Sequence, residues 1–217
     1  MMNPLHAKKL DAQAAQAVLQ DWLKLEEKAR GHAHLPALQA GEIWRGQTGL
    51  EAITGMLEGR TPSPPMGVHL NFCIVHASLG QVIFQGRPQS THLNPMGTVH
   101  GGWYATILDS ALGCAVHTML PAGRGYTTTQ LNLQLVRSIP LGVERVQAVA
   151  EVVHCGRQLA TAQSQLLGPD GSLYAHATCN CLIFDLPEST PRCDCYTPCC
   201  ASQTCNARLI SIPGCWA

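Results

Sequence analysis

The chain has 217 residues, 46% of them hydrophobic and 13% charged, which is ample for one core with extensions. Its 14 basic and 14 acidic residues balance, so nothing points to an electrostatic nucleic-acid binder. No apolar run approaches the length of a membrane span, and the start M-M-N-P-L-H-A-K-K-L lacks the apolar stretch of a signal peptide. Asp11, Asp21, Glu26 and Glu27 make that start too acidic for a mitochondrial presequence, so a cytoplasmic protein without a membrane partner is expected.

Leu10, Ala14, Val18, Trp22, Leu25 and Ala29 recur at nearly helical spacing between charged positions, which predicts an amphipathic helix over residues 8 to 30. Such a helix packs on the outside of a domain or at a subunit contact, or serves a regulatory or membrane role. Residues 31 to 46 read as a linker and Gly49 to Glu58 as a short helix; Thr61-Pro-Ser-Pro-Pro65 then breaks the chain. Leu70 to Ser78 and Gln81 to Arg87 are short apolar runs joined by Leu79-Gly80, a hairpin signal, followed by a polar loop and a long helix. Four strand-like runs come next: Thr127 to Arg137, Val143 to His154, Gln158 to Leu167 and Leu173 to Phe184. In the first, Leu131, Leu133 and Leu135 alternate with Asn132 and Gln134, the period-two pattern of a half-buried strand, and Gly168-Pro169-Asp170-Gly171 is a strong turn. Strands around one apolar helix make an α+β domain. Three parts are expected: an extension over 1–46, a domain over 47–186 and a tail over 187–217 that holds six of the eleven cysteines. The tail lacks the paired CxxC spacing of a zinc site, so it reads as an unstructured extension, with metal or thiol chemistry as the alternative. Cysteines 73, 114, 155, 179 and 181 fall in core elements and read as small hydrophobes.

The chemistry concentrates between Thr98 and Thr118, T-V-H-G-G-W-Y-A-T-I-L-D-S-A-L-G-C-A-V-H-T. Leu108, Ala111, Leu112, Ala115 and Met119 recur at three- and four-residue steps, so this is a largely buried helix. An unpaired Asp109 inside it would cost several kcal/mol or shift its titration, unless it lies on a solvated edge. Gly101 and Gly102 sit in the first turn, where backbone N–H groups have no intrahelical partner and the macrodipole is positive. Two glycines cost the helix about 1 kcal/mol each but allow an oxyanion or carbonyl oxygen to approach the backbone. Thr98 or His100 is positioned to cap this helix. Nine residues separate His100 from Asp109, about 13 Å along the axis and on opposite sides. Within one chain the two cannot serve one carbon, so a shared reaction requires a site built by two subunits across a two-fold axis.

The block N-P-M-G-T-V-H-G-G-W-Y-A-T-I-L-D-S-A-L-G-C-A, Asn94 to Ala115, resembles the signature of the PaaI-type (phenylacetate-degradation) acyl-CoA thioesterases of the hotdog fold. The likeness continues through G-R-G-Y-T-T-T-Q-L-N-L-Q-L-V-R (Gly123 to Arg137) and V-V-H-C-G-R-Q-L-A-T-A (Val152 to Ala162) to A-H-A-T-C-N-C-L-I-F, ending at Phe184. It covers roughly residues 47 to 185 and implies a curved antiparallel sheet wrapped around the long helix.

By this resemblance Asp109 is the catalytic acid, as general base or nucleophile, and the Gly101 N–H polarises the thioester carbonyl. Asn94 and His100 would orient substrate or water. Thr128, standing where relatives often carry serine, would hold the water, a role open also to Thr127 or Thr129. Gly102, Arg124, Arg137 and Arg157 are candidates for binding substrate and the coenzyme A phosphates. The resemblance implies an acyl-CoA substrate with an aromatic or short to medium acyl group, and a homodimer or a dimer of dimers. It calls for no metal or redox cofactor, coenzyme A being part of the substrate. A non-catalytic acyl-CoA binder and an acyl-thioester hydratase or dehydratase are the alternatives.

Overall fold

The computed structural model describes residues 9–30, 45–61, 64–140 and 142–186. Most of the linker over 31–46 and the whole Cys-rich tail lie outside the described residues. Helix α1 (Ala12–Arg30) is followed by α2 (Gly49–Leu57), α3 (Pro65–His69), strands β1 (Phe72–Ser78) and β2 (Gln81–Gly86), and a single 3₁₀ turn at Ser90–His92. The long helix α4 (Gly101–Thr118) then precedes β3 (Arg124–Leu135), β4 (Val146–Cys155), β5 (Leu159–Leu167) and β6 (Leu173–Asp185). The expected elements are present with ends shifted by up to four residues. Helix α3 is the addition: after Pro64 the chain turns helical at Pro65, where proline's fixed φ suits a first helical position, instead of merely breaking.

The six strands form one antiparallel sheet in the order β1-β2-β4-β5-β6-β3. Two of the turns are fixed by left-handed glycines, Gly80 at φ 74° in the β1–β2 hairpin and Gly171 at φ 78° before β6. On the concave side Val82 and Phe84 of β2, Val146, Ala148 and Ala150 of β4, Ala160 and Ala162 of β5, and Ala175 and Ala177 of β6 bury against α4. The small residues on β4 to β6 let a whole helix sit against the sheet. Helix α4 is accordingly buried on most of its circumference, from Trp103 through Ile107, Leu108, Leu112 and Val116. This is the hotdog arrangement that the resemblance implies.

The alternate residues of β2 and β4 face outward, and α1 covers them. Gln85 and Gln147, both buried, hydrogen-bond to each other at 2.8 Å, and Gln85 donates to Glu26 at 2.8 Å and to the Trp22 carbonyl at 3.0 Å. Glu26 pairs with Arg30 at 2.6 Å and also with Arg145. Burial pushes this carboxyl up, but hydrogen bonds from Gln85, Arg145 and Arg30 outweigh burial and hold it below the ordinary carboxylate range. The amphipathic extension is therefore a fixed layer on the sheet's outer face, attached through polar side chains as well as apolar ones.

One close approach sets up the site. A Cβ on Gly113 of α4 would lie 2.5 Å from the Tyr126 hydroxyl of β3, so only glycine lets that ring lie flat against the helix. Gly113→Ala is expected to lose about 1–3 kcal/mol in urea unfolding, whereas Gly142→Ala, with no atom within 4 Å of the new methyl, stays within about 0.5 kcal/mol of wild type.

Candidate active site

Helix α4 starts at a built end. His100 is the N-cap: its Nδ1 accepts from the Gly102 N–H at 2.9 Å, and its φ of −63° and ψ of 136° are those of an extended cap residue. Of the two expected caps, then, His100 takes the position. Thr98 instead accepts at its hydroxyl from Asn94 Nδ2, 2.8 Å away. Asn94 Oδ1 in turn accepts from the backbone N–H groups of Met96 at 3.0 Å and Thr98 at 3.2 Å, which binds Asn94 into the turn that leads to the helix. The Gly102 N–H is committed to the cap and the Trp103 N–H donates to the His100 carbonyl at 2.9 Å, while the Gly101 N–H, at the first helical position, has no intrahelical acceptor by its place in the helix. Trp103 and Tyr104 anchor this first turn. The Trp103 indole donates to the Leu70 carbonyl at 2.9 Å, and the Tyr104 hydroxyl accepts from the Ile139 N–H at 2.8 Å. His100 and Gly102 are exposed.

Two and a half turns later Asp109 is half-buried and not unpaired. The Thr128 hydroxyl of β3 donates to its Oδ1 at 3.0 Å. Among the three threonines the structure distinguishes clearly. Thr129 is the extra residue of a β-bulge and donates to the Asn180 carbonyl at 3.0 Å, and Thr127 is exposed, so Thr128 alone meets the acid. The bulge also reverses the face of the strand: Tyr126 and Thr128 point inward before it, Leu131 and Leu133 after it. Leu135, expected on the half-buried face, is 54% exposed, although its Cδ1 lies 3.2 Å from where a Gly101 Cβ would stand in the first turn of α4.

Asp109 and Thr128 stand at one end of a cavity of about 690 Å³ between α4 and β3, walled by apolar side chains of α2, α3, β1, β2 and the end of β6. Ser110, Cys114 and His117 follow Asp109 along its helix side, and Gly125 and Tyr126 line the strand side. The His117 and Tyr126 rings lie 5.6 Å apart. Burial pushes the His117 imidazole down to about 4 and the Tyr126 phenol well above its ordinary value, so both are neutral near pH 7. Burial also lifts the thiols lining the cavity, Cys73 to about 11 and Cys114 to about 12, the latter with help from the Asp109 carboxylate. Neither thiol is a nucleophile in that state. The cysteines behave as the small core residues expected, with one addition: Cys179 and Cys181 of β6 are buried with their sulfurs 3.7 Å apart.

Asn94, His100 and Gly101 do not line this cavity. The single helix that carries both His100 and Asp109 keeps them about 13 Å apart. The three arginines separate as well. Arg124 opens β3, pairs with Asp185 at 3.1 Å and donates to the Arg157 carbonyl at 2.7 Å. Arg137 lies past the other end of the strand, roughly 40 Å along it, and donates to the Ser172 hydroxyl at 3.2 Å. One chain therefore offers two separate basic places, not one phosphate cluster. Tyr126 and His117, which sequence reasoning did not single out, and Cys114, read there only as a small hydrophobe, line the cavity with Asp109. Tyr126 lies within a quoted block, but the period-two reading taken from Leu131 and Leu133 carries the wrong face back across the bulge.

Residues 96–175 match the family model described as the thioesterase superfamily. This stretch, from the turn before α4 to the start of β6, thus carries the pattern of that superfamily. Among solved structures, the thioesterase domain is similar to the phenylacetic acid degradation protein PaaI of Thermus thermophilus, 27% identical over 55% of this chain and 98% of that one, at a TM-score of 0.51. A phenylacetic acid degradation-related protein of Ralstonia eutropha is 27% identical over 60% of this chain and 98% of its own, at a TM-score of 0.55. The PaaI protein of Escherichia coli, at 17% identity, covers 56% of this chain and 86% of its own at a TM-score of 0.51, a likeness of fold alone. No curated protein matches the chain in a sequence search. Among the described residues no helix of the thioesterase is long and apolar enough to cross a membrane, and no three His, Cys, Asp or Glu side chains gather to hold a metal ion.

The neutral His117 of the thioesterase gives a direct check. Its folded-state pKa lies below the ordinary 6.5, so between pH 6.5 and about 4 the unfolded chain takes up a proton that the folded one does not, and stability falls as pH drops through that window. An NMR titration is expected to show one imidazole with a midpoint near pH 4 that disappears in His117→Asn.

Proposed function

We propose that the protein is a cytoplasmic acyl-CoA thioesterase whose sites are shared between two subunits, and that Asp109 carries the hydrolysis. The observation behind this reading is a half-buried carboxylate, held by the Thr128 hydroxyl, at the head of an apolar cavity, with an N–H lacking an intrahelical acceptor at the start of the same helix but too far away to serve it. Strand β3 supports the shared site. Among the described residues it is an end strand of the sheet, twelve residues long, with no strand paired along an outer edge of roughly 40 Å, where Thr127, Thr129, Gln130, Asn132 and Gln134 are exposed. Pairing that edge with its two-fold copy continues the sheet and brings the helix start of each subunit toward the other's Asp109. Two such dimers joined would make the tetramer.

In the assembled site the Gly101 N–H, at the positive end of α4, donates to the thioester oxygen as negative charge develops on it, a contribution of about 3 kcal/mol for one such donor. Asp109 removes a proton from water, or attacks the carbonyl itself to form an anhydride that water then opens. In the first course the water oxygen bonds the acyl carbon, the carbon–sulfur bond breaks and Asp109 passes the proton to the leaving thiolate; in the second the carbon–sulfur bond breaks as the anhydride forms, and water then cleaves the anhydride to the free acid and the Asp109 carboxylate, its proton going to the thiolate. Thr128 fixes the carboxylate and the water beside it. His100 holds the helix end in shape through its cap, and Asn94 acts through the turn that presents His100. Arg124 with Arg157 of one subunit, and Arg137 of the other, are placed for the coenzyme A phosphates. The fold and the acid also suit a protein that binds acyl-CoA without turning it over, and the acid separates the two.

Two variants test the reading together. Asp109→Asn is expected to lose hydrolysis of acyl-CoA by at least about a hundredfold while retaining ligand affinity. Gly101→Pro removes the N–H at a position where proline is tolerated, its Cβ meeting only the flexible end of Leu135 at 3.2 Å, and should lower kcat by about 10²–10³. Mixing the two inactive proteins under subunit exchange should restore about a quarter of wild-type activity, since each mixed dimer has one intact site. No recovery despite proven exchange would overturn the shared site. Wild-type binding without turnover would make the protein an acyl-CoA carrier.

A further inference from the structure

The cavity behind Asp109 has a direction as well as a volume. Its helix wall begins at Asp109 and ends at His117, eight residues later on the same helix, about 12 Å along the axis. Its strand wall begins at Thr128, which bonds Asp109, and runs back to Gly125, three residues or about 10 Å away. Two independent walls therefore give the same length, and both start at the acid. On the strand side the far end is lined by Phe184 and Leu186: a Cβ on Gly125 would lie 2.7 Å from Leu186 Cδ2 and 3.1 Å from Phe184 Cε2, so glycine here lets both lie close against the strand.

We propose that this cavity is an acyl channel for an unbranched medium chain of about eight to ten carbons, and that Cys114 sets its usable length. The proposal rests on the thioesterase reading, with the thioester carbonyl at Asp109. An extended alkyl chain advances about 1.25 Å per bond, so 10–12 Å holds eight to ten carbons. A phenylacetyl group reaches only about 5 Å from carbonyl to the far ring carbon and leaves half the channel empty. Apart from its two ends the channel offers an acyl chain carbon, sulfur and aromatic surface, from Phe72, Ile74, Phe84 and Cys114 among others. Neutral His117 and Tyr126 at the far end carry no charge to pair with an ionised acyl tail. Cys114 lies five residues past Asp109, about 7.5 Å into the channel, and its wall position is set by a small side chain.

The test is release of coenzyme A, followed by chromatography, from straight-chain acyl-CoAs of two to fourteen carbons and from phenylacetyl-CoA. For the wild type, kcat/KM is expected to rise about fourfold per added methylene from butanoyl to octanoyl, about 250-fold in all, and to stop rising beyond decanoyl. Octanoyl should exceed phenylacetyl. In Cys114→Phe the rise should stop near six carbons, and the octanoyl-to-butanoyl ratio should fall more than tenfold; Cys114→Leu, a smaller intrusion, should shift it in the same direction if the phenylalanine variant does not fold. A flat wild-type profile, phenylacetyl turned over ten times faster than octanoyl, or an unchanged profile in the folded Cys114 variants would overturn the proposal and leave the thioesterase intact. Release from no acyl-CoA at all by the folded wild type would overturn the thioesterase reading and the channel with it.

Discussion

Everything in this molecule follows from burying one helix inside a sheet. Helix α4 is apolar on most of its circumference, so no single flat layer can cover it, and the sheet must curve around it. Alanines on β4, β5 and β6 allow the approach, while larger side chains on β1 and β2 fill the space where the sheet bends away. Covering the helix this completely leaves two places where it meets anything other than core: its first turn and the flank beside β3. The Gly101 N–H lies at the first and Asp109 at the second. The positions of the chemistry are thus what remains after the packing is complete.

The same packing explains why the cavity is where it is. A strand that continued in regular register past Thr128 would place Leu131 and Leu133 on the face away from the core. The bulge at Thr129 corrects their direction, and in doing so leaves Tyr126 and Thr128 inward on the other side of it. Tyr126 is then held flat because position 113 has no side chain, and the space beyond the ring becomes the channel. Glycine at 113, the bulge at 129 and the acid at 109 lie on two elements far apart in sequence, yet they form one device. The N-terminal extension belongs to a separate economy. Its Glu26, held ionised by two arginines and a glutamine, secures α1 to the outer face of the sheet and has no part in the channel.

Much of this was legible in the chain. The order of strands and helices, the hairpin at Gly80, the turn at Gly171 and the amphipathic first helix all come from periodicity and turn residues, because those signals are local. Asp109 stood out because an acid in an apolar helix demands a partner, and the resemblance of the surrounding block gave that acid a fold. Helix α3 was hidden by its prolines, which mark a break and a helix start equally well. Thr128 could not be separated from Thr127 and Thr129, since a bulge has no signature in three identical residues. Whether Arg124, Arg137 and Arg157 share one place is likewise not legible, because distance along a strand is invisible until the strand is laid out.

The sequence by itself determined which residues bury, because burial of apolar side chains at helical and alternating spacing is decided by their own chemistry; from this come the α+β class, the central helix and the acid within it. The tertiary structure alone decided which of those residues meet. Asp109 and Thr128 are nineteen positions apart and 3.0 Å from each other, and Gly113 and Tyr126 touch only because the helix and the strand cross at that point. Contacts of that kind depend on the register between elements, which a bulge or a single glycine can change by one residue, and no local pattern records it.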